Sequence, residues 1–445
     1  MKNALKEEEV LKRISVNVCR LLLAAVFILS GFVKAVDPHG TQYKLEDYAT
    51  ALGFPGSVPS FALIAIAVAL SAAEFCLGVF LLFAIRRRLT SRLILLFLIV
   101  MTPLTLWLAL SNPISDCGCF GDAVILSNWQ TFWKNAVLLV GAVIVAWQPW
   151  LMVRFLSKSN QWIVINYTAL FILVVAGWSL YDLPQFDFRP YHIGASIREG
   201  MTVPEGALQP QYDTTFILEK DGEQREFTLD DYPDSTWTFV DSRTTLVSAG
   251  YVPPIHDFSV QTSDGNDITE EILADTSYTF LLVSPQLSDA DDSSLDIINE
   301  LYEYSLHLGY PFYCLTASGD HAIESWCDRT GAEYPFCHTD ETTLKTIIRS
   351  NPGLLLIKDG TVIGKWSHNN LPVIADSRWH QPLESQEIGH LPDDPAPAKV
   401  VRILLWFALP LLLLTIADRL WAWSRWLRRK PRHSQGSSQP EAQPS

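Results

Sequence analysis

Long apolar runs dominate the hydropathy pattern of this chain, and they predict a membrane protein. About 20 apolar residues in a helix cross roughly 30 Å of hydrocarbon, so a run of that length is a candidate transmembrane helix. Six such runs occur, at residues 16–36, 60–85, 92–110, 134–153, 162–180 and 401–423. We therefore expect an α-helical membrane bundle of six transmembrane helices, with the first five in one membrane domain over residues 16–180.

Between the fifth and sixth runs the pattern changes to short strand-like and helix-like segments. "SYTFLLVSP" reads as a strand, "SSLDIINELYEYSLHLG" has helical spacing and ends in Gly309, and "GLLLIKDGTVIGKWS" reads as a hairpin. This alternation predicts an α/β domain over residues 251–375. Residues 181–250 are expected to form a bridge with a β-hairpin at "TTFILEKDGEQREFTL", and residues 376–400 a linker.

Basic residues are concentrated in the lead at residues 1–15, in the link "IRRRLTSR" and in the tail at residues 424–445. The positive-inside rule places these segments in the cytoplasm, which is consistent with six spans and with both termini on that side. We thus expect a multi-pass protein of the bacterial inner (cytoplasmic) membrane, with residues 181–400 in the periplasm. The end of the tail is polar and is expected to be disordered.

The predicted periplasmic segment and the rest of the chain also differ in net charge. Residues 182–400 contain 37 Asp and Glu but 12 Lys and Arg, a net charge of −25, so the overall charge of −15 hides a basic remainder. The exported part has no basic patch, so nucleic acid is not an expected partner. Membrane lipid is an expected partner because of the six apolar runs.

The loop after the third run contains "SDCGCFGD", with Cys117 and Cys119 one residue apart. In an oxidising compartment the two can form a disulfide, and so small a ring is strained and labile. Gly118 and Gly121 give the backbone the freedom that such a ring needs. The pair is therefore a candidate catalytic dithiol or a structural disulfide. No metal site is expected, because the loop offers too few ligands.

Three stretches carry a resemblance to a known group of membrane proteins. "RLLLAAVFILSGFVKAVDP" and "AAEFCLGVFLLF" resemble the first two helices of the DoxX/MauE group, and "CGCFGD" followed by "NWQTFWKN" resembles the MauE signature. The matching positions are Cys117, Gly118, Cys119, Phe120, Gly121, Trp129, Lys134 and Asn135. Lys134 departs from the pattern, which has Arg there. The resemblance covers about residues 16–153.

This resemblance implies a helical bundle with the two cysteines at its outer face. MauE proteins are associated with methylamine utilisation and the maturation of a disulfide-rich protein, and DoxX proteins with quinone-linked oxidation. The disulfide role is the part that we carry over. No cofactor is certain; a quinone is a candidate electron acceptor, and an exported client protein or redox partner is the expected macromolecular partner.

Glu74 is a carboxylate in the middle of the second run. Such a group is costly in hydrocarbon and is by default a candidate functional acid, the alternative being a neutral side chain bonded to another helix. Counting 1.5 Å per residue from residue 60 puts Glu74 about 20 Å deep. Lys34 near the end of the first run would then lie too far out to pair with it.

Residues 255–370 resemble the thioredoxin superfamily. "NPGLLLIKDGTVIGKW" resembles the stretch with the family's cis-proline and terminal hairpin, which makes Pro352 the cis-proline candidate. The segment that would hold the catalytic CxxC, "VSPQLSDADDSSLD", contains no cysteine. A docking module is therefore expected instead of an active thioredoxin. Cys314–Cys337 or Cys327–Cys337 is a candidate structural disulfide.

Three functions remain open on this basis. The first is a membrane thiol–disulfide redox protein that assists disulfide formation or electron transfer for exported proteins through Cys117 and Cys119. The second is a non-catalytic scaffold of an envelope complex, in which the two cysteines are a staple. The third is a DoxX-like subunit of a quinone-linked oxidoreductase.

Overall fold

The computed structural model describes residues 2–114, 116–204, 206–208, 211–220, 223–227, 237–248, 250–392 and 396–428. It divides into two compact units. Met1–Phe186 together with Asp393–Ser445 form a helical unit, and Asp187–Pro392 form an α/β unit. The fold class expected from the sequence, a helical membrane part and an α/β domain, is confirmed.

Seven helices of more than one turn build the described part of the helical unit. They are α1 (Lys2–Val36), α2 (Pro38–Ala51), α3 (Ser60–Leu82), α4 (Arg87–Ser111), α5 (Asn128–Trp147), α6 (Gln161–Tyr181) and, after the α/β unit, α12 (Ala396–Arg428). Within the described residues, all except α2 are long and apolar enough to cross a membrane. The six expected spans are therefore present.

Two of the expected boundaries differ in the structure. The fourth span runs over Asn128–Trp147 instead of residues 134–153, because Ser127 and Gln130 form a capping box that starts the helix among aromatic residues. An apolar count excludes that polar and aromatic first turn, although amphipathic tryptophans are common where a helix meets the membrane surface. The lead at residues 1–15 is likewise continuous with the first span in α1.

Helices α1 and α3 cross at two glycines. A Cβ on Gly31 would lie 2.3 Å from the backbone nitrogen of Phe75, and one on Gly78 would lie 2.7 Å from that of Ile28. Small residues allow such close backbone approach between membrane helices. This crossing determines which side chains of α1 and α3 lie opposite each other along the two helices.

Helix α12 is joined to the rest of its unit by a buried carboxylate and an aromatic side chain. Asp418 accepts hydrogen bonds from the backbone and hydroxyl of Ser157, at 2.8 and 2.6 Å, and from Asn160 at 2.6 Å. Phe407 stacks on Tyr167 and packs against Phe171. These contacts hold a helix that is otherwise mostly exposed.

The α/β unit contains a six-stranded sheet with helices between its strands. The strands are β4 (Gln261–Thr262), β5 (Tyr278–Ser284), β6 (Phe312–Thr316), β7 (Phe336–His338), β8 (Gly353–Lys358) and β9 (Thr361–Ser367). The helices are α7 (Ile197–Met201), α8 (Thr269–Ala274), α9 (Leu295–Leu308), α10 (Asp320–Thr330) and α11 (Glu341–Ile347). Each strand and helix that the periodicity predicts in this region is present.

The sheet has the order β4-β7-β6-β5-β8-β9. Strand β5 pairs parallel to β6, which pairs parallel to β7, whereas β8 and β9 form an antiparallel terminal hairpin on the other side of β5. All seven residues of β5 are buried. A buried central strand followed by the long helix α9, with a hairpin at the end, is the arrangement expected from the thioredoxin resemblance.

Segments that the sequence assigns to the bridge and the linker pack onto this sheet. Ile197 donates its backbone N–H to Gly360, and Gly194 donates to Val362. On the other side, Tyr278 donates its hydroxyl to the carbonyl of Gly389. The α/β unit is therefore larger than residues 251–375.

A second, three-stranded sheet precedes it, with β1 (Gln211–Lys220) between β2 (Glu223–Phe227) and β3 (Thr238–Ser248). Strands β1 and β2 pair antiparallel as the predicted hairpin, whose turn at residues 221–222 lies outside the described residues. The third strand was not predicted from the sequence.

Candidate functional site

The two cysteines lie on the loop at residues 112–127, between α4 and α5. The side-chain amide of Asn128 donates to the Asn112 side chain at 2.9 Å and to the Ile114 carbonyl at 2.8 Å, which ties the start of the loop to α5. Gly118 has φ +66°, and a Cβ there would lie 3.0 Å from Cγ of Lys44. The position between the cysteines thus favours glycine both for its backbone and for its space.

Cys117 and Cys119 are free thiols whose sulfur atoms lie 3.0 Å apart. Cys117 is buried and packs with Leu108 and Ile114, while Cys119 is partly buried. The glycine between them turns the backbone so that both side chains meet. The pair is therefore positioned for conversion between a dithiol and a disulfide with little movement.

Helix α2 supplies two polar contacts to the loop. The hydroxyl of Tyr48 lies 3.2 Å from the Cys117 carbonyl oxygen and 3.4 Å from its sulfur, and it can donate to either. Lys44 forms an ion pair with Asp116 at 2.9 Å, and Asp116 also accepts the N–H of Gly118. Burial raises the pKa of Tyr48, which keeps it a donor.

A buried ion pair lies on the other side of Cys119. Nζ of Lys34 lies 2.7 and 2.9 Å from the two carboxylate oxygens of Glu74. Ser30, one turn before Lys34, places its hydroxyl 2.6 Å from Glu74 Oε2 and 2.7 Å from the Cys119 carbonyl oxygen. This hydroxyl links the intramembrane pair to the cysteine loop.

The expectation that Lys34 and Glu74 would not pair is therefore wrong. It counted depth from the first residue of α3, but the crossing at Gly31 and Phe75 puts α1 near its end against the middle of α3. Helix α2, which follows α1, also packs against α3. Both charged side chains are consequently at one level.

A small cavity of about 30 Å³ adjoins Cys119 inside the helical unit. Its polar lining comes from Ser30, Lys34, Glu74, Cys119, Lys134 and Asn135. Its apolar lining comes from Val26, Phe27, Phe97, Leu98, Met101 and Leu138. Cys117 is not part of this lining, so the two thiols face different surroundings.

The two thiols also differ in acidity. The hydrogen bond from Cys117 lowers the pKa of Cys119, the charges of Lys134 and Lys34 lower it further, and burial opposes them. The same hydrogen bond, together with burial, raises the pKa of Cys117. Cys119 is therefore the sulfur that more readily carries a negative charge.

Of the motif residues after the cysteines, Phe120, Gly121, Lys134 and Asn135 lie at this site. Phe120 is buried beneath the ammonium of Lys134, which lies 4.4 Å from its ring centroid. Asn135 lines the cavity and donates to Thr105 of α4 at 3.3 Å. Gly121 has φ +51° and packs near Val33.

Trp129 does not join this site. Its side chain is 48% exposed and packs edge-to-face on Phe132.

Sequence reasoning missed Ser30, Lys44 and Tyr48. Ser30 was detectable, because it lies four residues before Lys34 and so shares its helix face. Tyr48 has no comparable signal in the sequence. Among the described residues no group of three or more His, Cys, Asp or Glu side chains comes together as a metal site.

In the α/β unit the Asn351–Pro352 peptide bond is cis. Asn351 accepts a hydrogen bond from Ser284 at 2.7 Å and donates to the carbonyl of Gln286 at 2.8 Å. Ser284 ends β5, so these bonds hold the segment in which a thioredoxin would carry its cysteines. Polar side chains without a thiol occupy that place.

The disulfide predicted between Cys314 and Cys337 is not formed. Both are free thiols, and Cys337 is opposite Leu315 in the β6–β7 register, one residue beyond Cys314. Neighbouring residues of a strand point to opposite faces, so the two thiols lie on different sides of the sheet. Cys327 on α10 is also free.

Comparisons with known proteins give matches for parts of the chain. Residues 212–249 match the family model described as "Domain of unknown function (DUF8463)". A solution structure of a putative protein disulfide isomerase from Bacteroides thetaiotaomicron covers 26% of this chain and 77% of its own, with 13% identity and a TM-score of 0.22. No curated protein matches the chain.

The remaining match covers the site. Residues 12–148 match the model of the family described as "Methylamine utilisation protein MauE". That range includes most of α1, all of α2 to α5, the cysteine loop and the Lys34–Glu74 pair, which agrees with the resemblance seen in the sequence. The chain thus carries a MauE-like membrane domain over residues 12–148.

Proposed function

We propose that this chain is a membrane thiol–disulfide exchange protein in which Cys117 and Cys119 pass electrons between exported client proteins and an acceptor in the membrane. The observation that carries the proposal is the pair of free thiols 3.0 Å apart with unequal acidity. An inert disulfide staple needs no such asymmetry. We further propose that the protein spans the bacterial cytoplasmic membrane with the cysteine loop and the α/β unit on the periplasmic side.

Exchange proceeds in balanced steps. A client thiolate attacks the sulfur of Cys117 in the oxidised pair, a client–Cys117 disulfide forms, and the Cys117–Cys119 bond breaks with its electron pair on Cys119. The second client thiolate then attacks the client sulfur that is bonded to Cys117. The client disulfide forms, and Cys117 is released and takes up a proton. The client gains a disulfide, and the pair gains two electrons.

The unequal thiols favour this direction of attack. In thiol–disulfide exchange the sulfur with the lower pKa leaves faster. Cys119 has the lowered pKa, so it is the leaving sulfur, and Cys117 is the one that a client attacks.

Reoxidation of the pair requires a two-electron acceptor. We propose a lipid-soluble quinone, which takes two electrons and two protons to become a quinol while the Cys117–Cys119 disulfide re-forms. The position of Cys119 supports an acceptor that arrives from the membrane, since Cys119 borders a cavity lined by side chains of α1, α3, α4 and α5.

The α/β unit would then act without thiol chemistry of its own. Its thioredoxin-like sheet carries Ser284 and Gln286 where the redox cysteines of such a domain would be, and Asn351 holds them in place. We propose that this unit positions a client or a redox partner.

The test is thiol trapping on native membranes. Cells are quenched with acid and alkylated, and the mass of the peptide with Cys117 and Cys119 is read before and after addition of a mild reductant or a quinone. We expect the pair to change between dithiol and disulfide, and Cys117→Ser or Cys119→Ser to lower disulfide formation in exported proteins. Cys76→Ser, which changes a cysteine elsewhere in the helical unit, is the matched control.

A pair that stays in one redox state under all these conditions would refute the proposal and favour the scaffold. If the Cys117–Cys119 pair changes redox state with exported disulfides but not on addition of a quinone, only the proposal that a quinone is the electron acceptor would be refuted.

A further inference from the structure

We infer that Lys134 is the residue that stabilises the Cys119 thiolate, and so makes Cys119 the leaving sulfur when a client attacks Cys117. The inference rests on the proposed function, and it assigns a role to a position that the family resemblance marks only as basic. It starts from the charges that surround the cysteine loop.

The groups that face Cys119 come from five elements and are mostly paired with one another. They are Ser30 and Lys34 from α1, Lys44 and Tyr48 from α2, Glu74 from α3, Asp116 and Cys117 from the loop, and Lys134 from α5. From α4 the facing residues are the uncharged Phe97, Leu98 and Met101.

Two of the three lysines have a carboxylate partner. Lys34 pairs with Glu74 at 2.7 Å, and Lys44 pairs with Asp116 at 2.9 Å, so each of these pairs is neutral. The ammonium of Lys134 instead contacts the ring of Phe120. An aromatic ring attracts a cation but does not neutralise it.

Geometry brings Lys134 and Cys119 to one cavity. Lys134 and Cys119 line the same cavity of about 30 Å³, and the ring that contacts Lys134 belongs to Phe120, the residue after Cys119. Lys134 is half-buried, so part of the cost of burying a charge without a counter-charge applies to its ammonium. A thiolate at Cys119 supplies that counter-charge, so the reduced site is electrically balanced.

The redox step changes this balance in a defined way. When the Cys117–Cys119 bond breaks, its electron pair becomes the negative charge on Cys119 beside Lys134. When the disulfide re-forms, that charge leaves with the two electrons to the acceptor. Lys134 therefore favours the reduced, thiolate-bearing state of the pair.

The experiment measures thiolate formation in the purified full-length protein, without a client or a quinone. The reduced protein is treated with iodoacetamide from pH 5 to pH 10, and mass spectrometry resolves alkylation at Cys119 from alkylation at Cys117. Only the thiolate is alkylated, so the rate rises through the pKa of each cysteine. We expect Cys119 to react at lower pH than Cys117.

Lys134→Met should shift the Cys119 midpoint upward by about 1 pH unit, because an opposite charge within a few ångströms lowers a pKa by about that amount or more. The rate at pH 5, below both midpoints, then falls by about tenfold. Lys134→Arg should keep the wild-type midpoint, since it keeps the charge. Lys44→Met combined with Asp116→Asn, which removes both charges of a neutral pair, should leave the midpoint near the wild-type value.

An unchanged Cys119 midpoint in Lys134→Met, or an equal shift in the double variant Lys44→Met with Asp116→Asn, would overturn the inference. If Lys134→Met does not fold, Lys134→Gln is measured instead. The wild-type protein provides a further test, which is the order in which the two cysteines become alkylated as the pH rises. Alkylation of Cys117 at a lower pH than Cys119 would also overturn the inference. A midpoint shift in a pair that never cycles in membranes would refute the proposed function alone.

Discussion

Nζ of Lys34 lies 2.7 Å from Oε1 and 2.9 Å from Oε2 of Glu74, with both side chains buried in the helical unit. Replacing one member of a buried ion pair leaves the other charge without a partner and costs several kcal/mol, whereas replacing both can be nearly neutral. The pair therefore supports two predictions, one for single and one for double replacement.

We predict that Glu74→Gln lowers the free energy of unfolding by about 3 kcal/mol, because Lys34 keeps its charge and loses its carboxylate. Lys34→Met combined with Glu74→Leu should recover most of that loss. Thermal unfolding of the purified protein in detergent measures both. A double variant as unstable as the single one would show that the polar contacts, and not the charge, hold α1 against α3.

Gly118→Ala should destabilise the cysteine loop by about 1 kcal/mol, because alanine pays a steric cost at positive φ. Its Cβ would also press on Lys44, which has to move. We expect slower closure of the Cys117–Cys119 disulfide by an added oxidant, read as the rate of loss of free thiol. Gly177→Ala, whose Cβ would meet nothing within 4 Å, is the control and should close at the wild-type rate.

Asp418→Ala should loosen α12, since it removes the acceptor of three hydrogen bonds from Ser157 and Asn160. Hydrogen bonds to a charged group are worth about 2 kcal/mol each, and part of that loss will appear in the melting temperature. Asp418→Asn keeps one acceptor oxygen and should lose less. Equal losses in the two variants would contradict this account.

The thiols of the α/β unit should stay reduced and react slowly. Burial raises the pKa of Cys337 to about 11 and that of Cys314 well above its usual range. The thiolate fraction of both is therefore small below pH 10, and native-state alkylation should rise only as the pH approaches these values. Mass spectrometry of native and denatured samples measures this, and fast alkylation at pH 7 or a Cys314–Cys337 disulfide would contradict it.

The elements of the α/β unit could be predicted because their signals are local. The helices that end at Gly309 and Gly331 and the hairpin at Asp359–Gly360 each carry their period and their turn residue within a few positions. Strand β3 was missed although turn residues precede it, because the polar run "DSRTT" interrupts its apolar residues and hides the strand pattern. The spans were predicted from the length of apolar runs. That criterion misplaced the start of α5, which begins among aromatic residues at Asn128.

The candidate site was predictable only in part, for a different reason. Cys117 and Cys119 stand out because their motif is contiguous and rare. Their partners Tyr48 and Lys34 come from helices about 70 or more residues earlier in the chain and become neighbours through the crossing at Gly31. Helix depth cannot be read from the first helical residue, which is why the Lys34–Glu74 pair was misjudged.

The distance in sequence between Lys34 and Glu74 has a consequence for biogenesis. Lys34 leaves the ribosome 40 residues before its counter-charge does, and a lone lysine in a membrane helix costs up to about 3 kcal/mol on insertion scales, the value for the helix centre. Helix α1 therefore gains by remaining at the insertion machinery until α3 arrives. The two helices enter the bilayer most favourably as a hairpin, with their charges already neutralised.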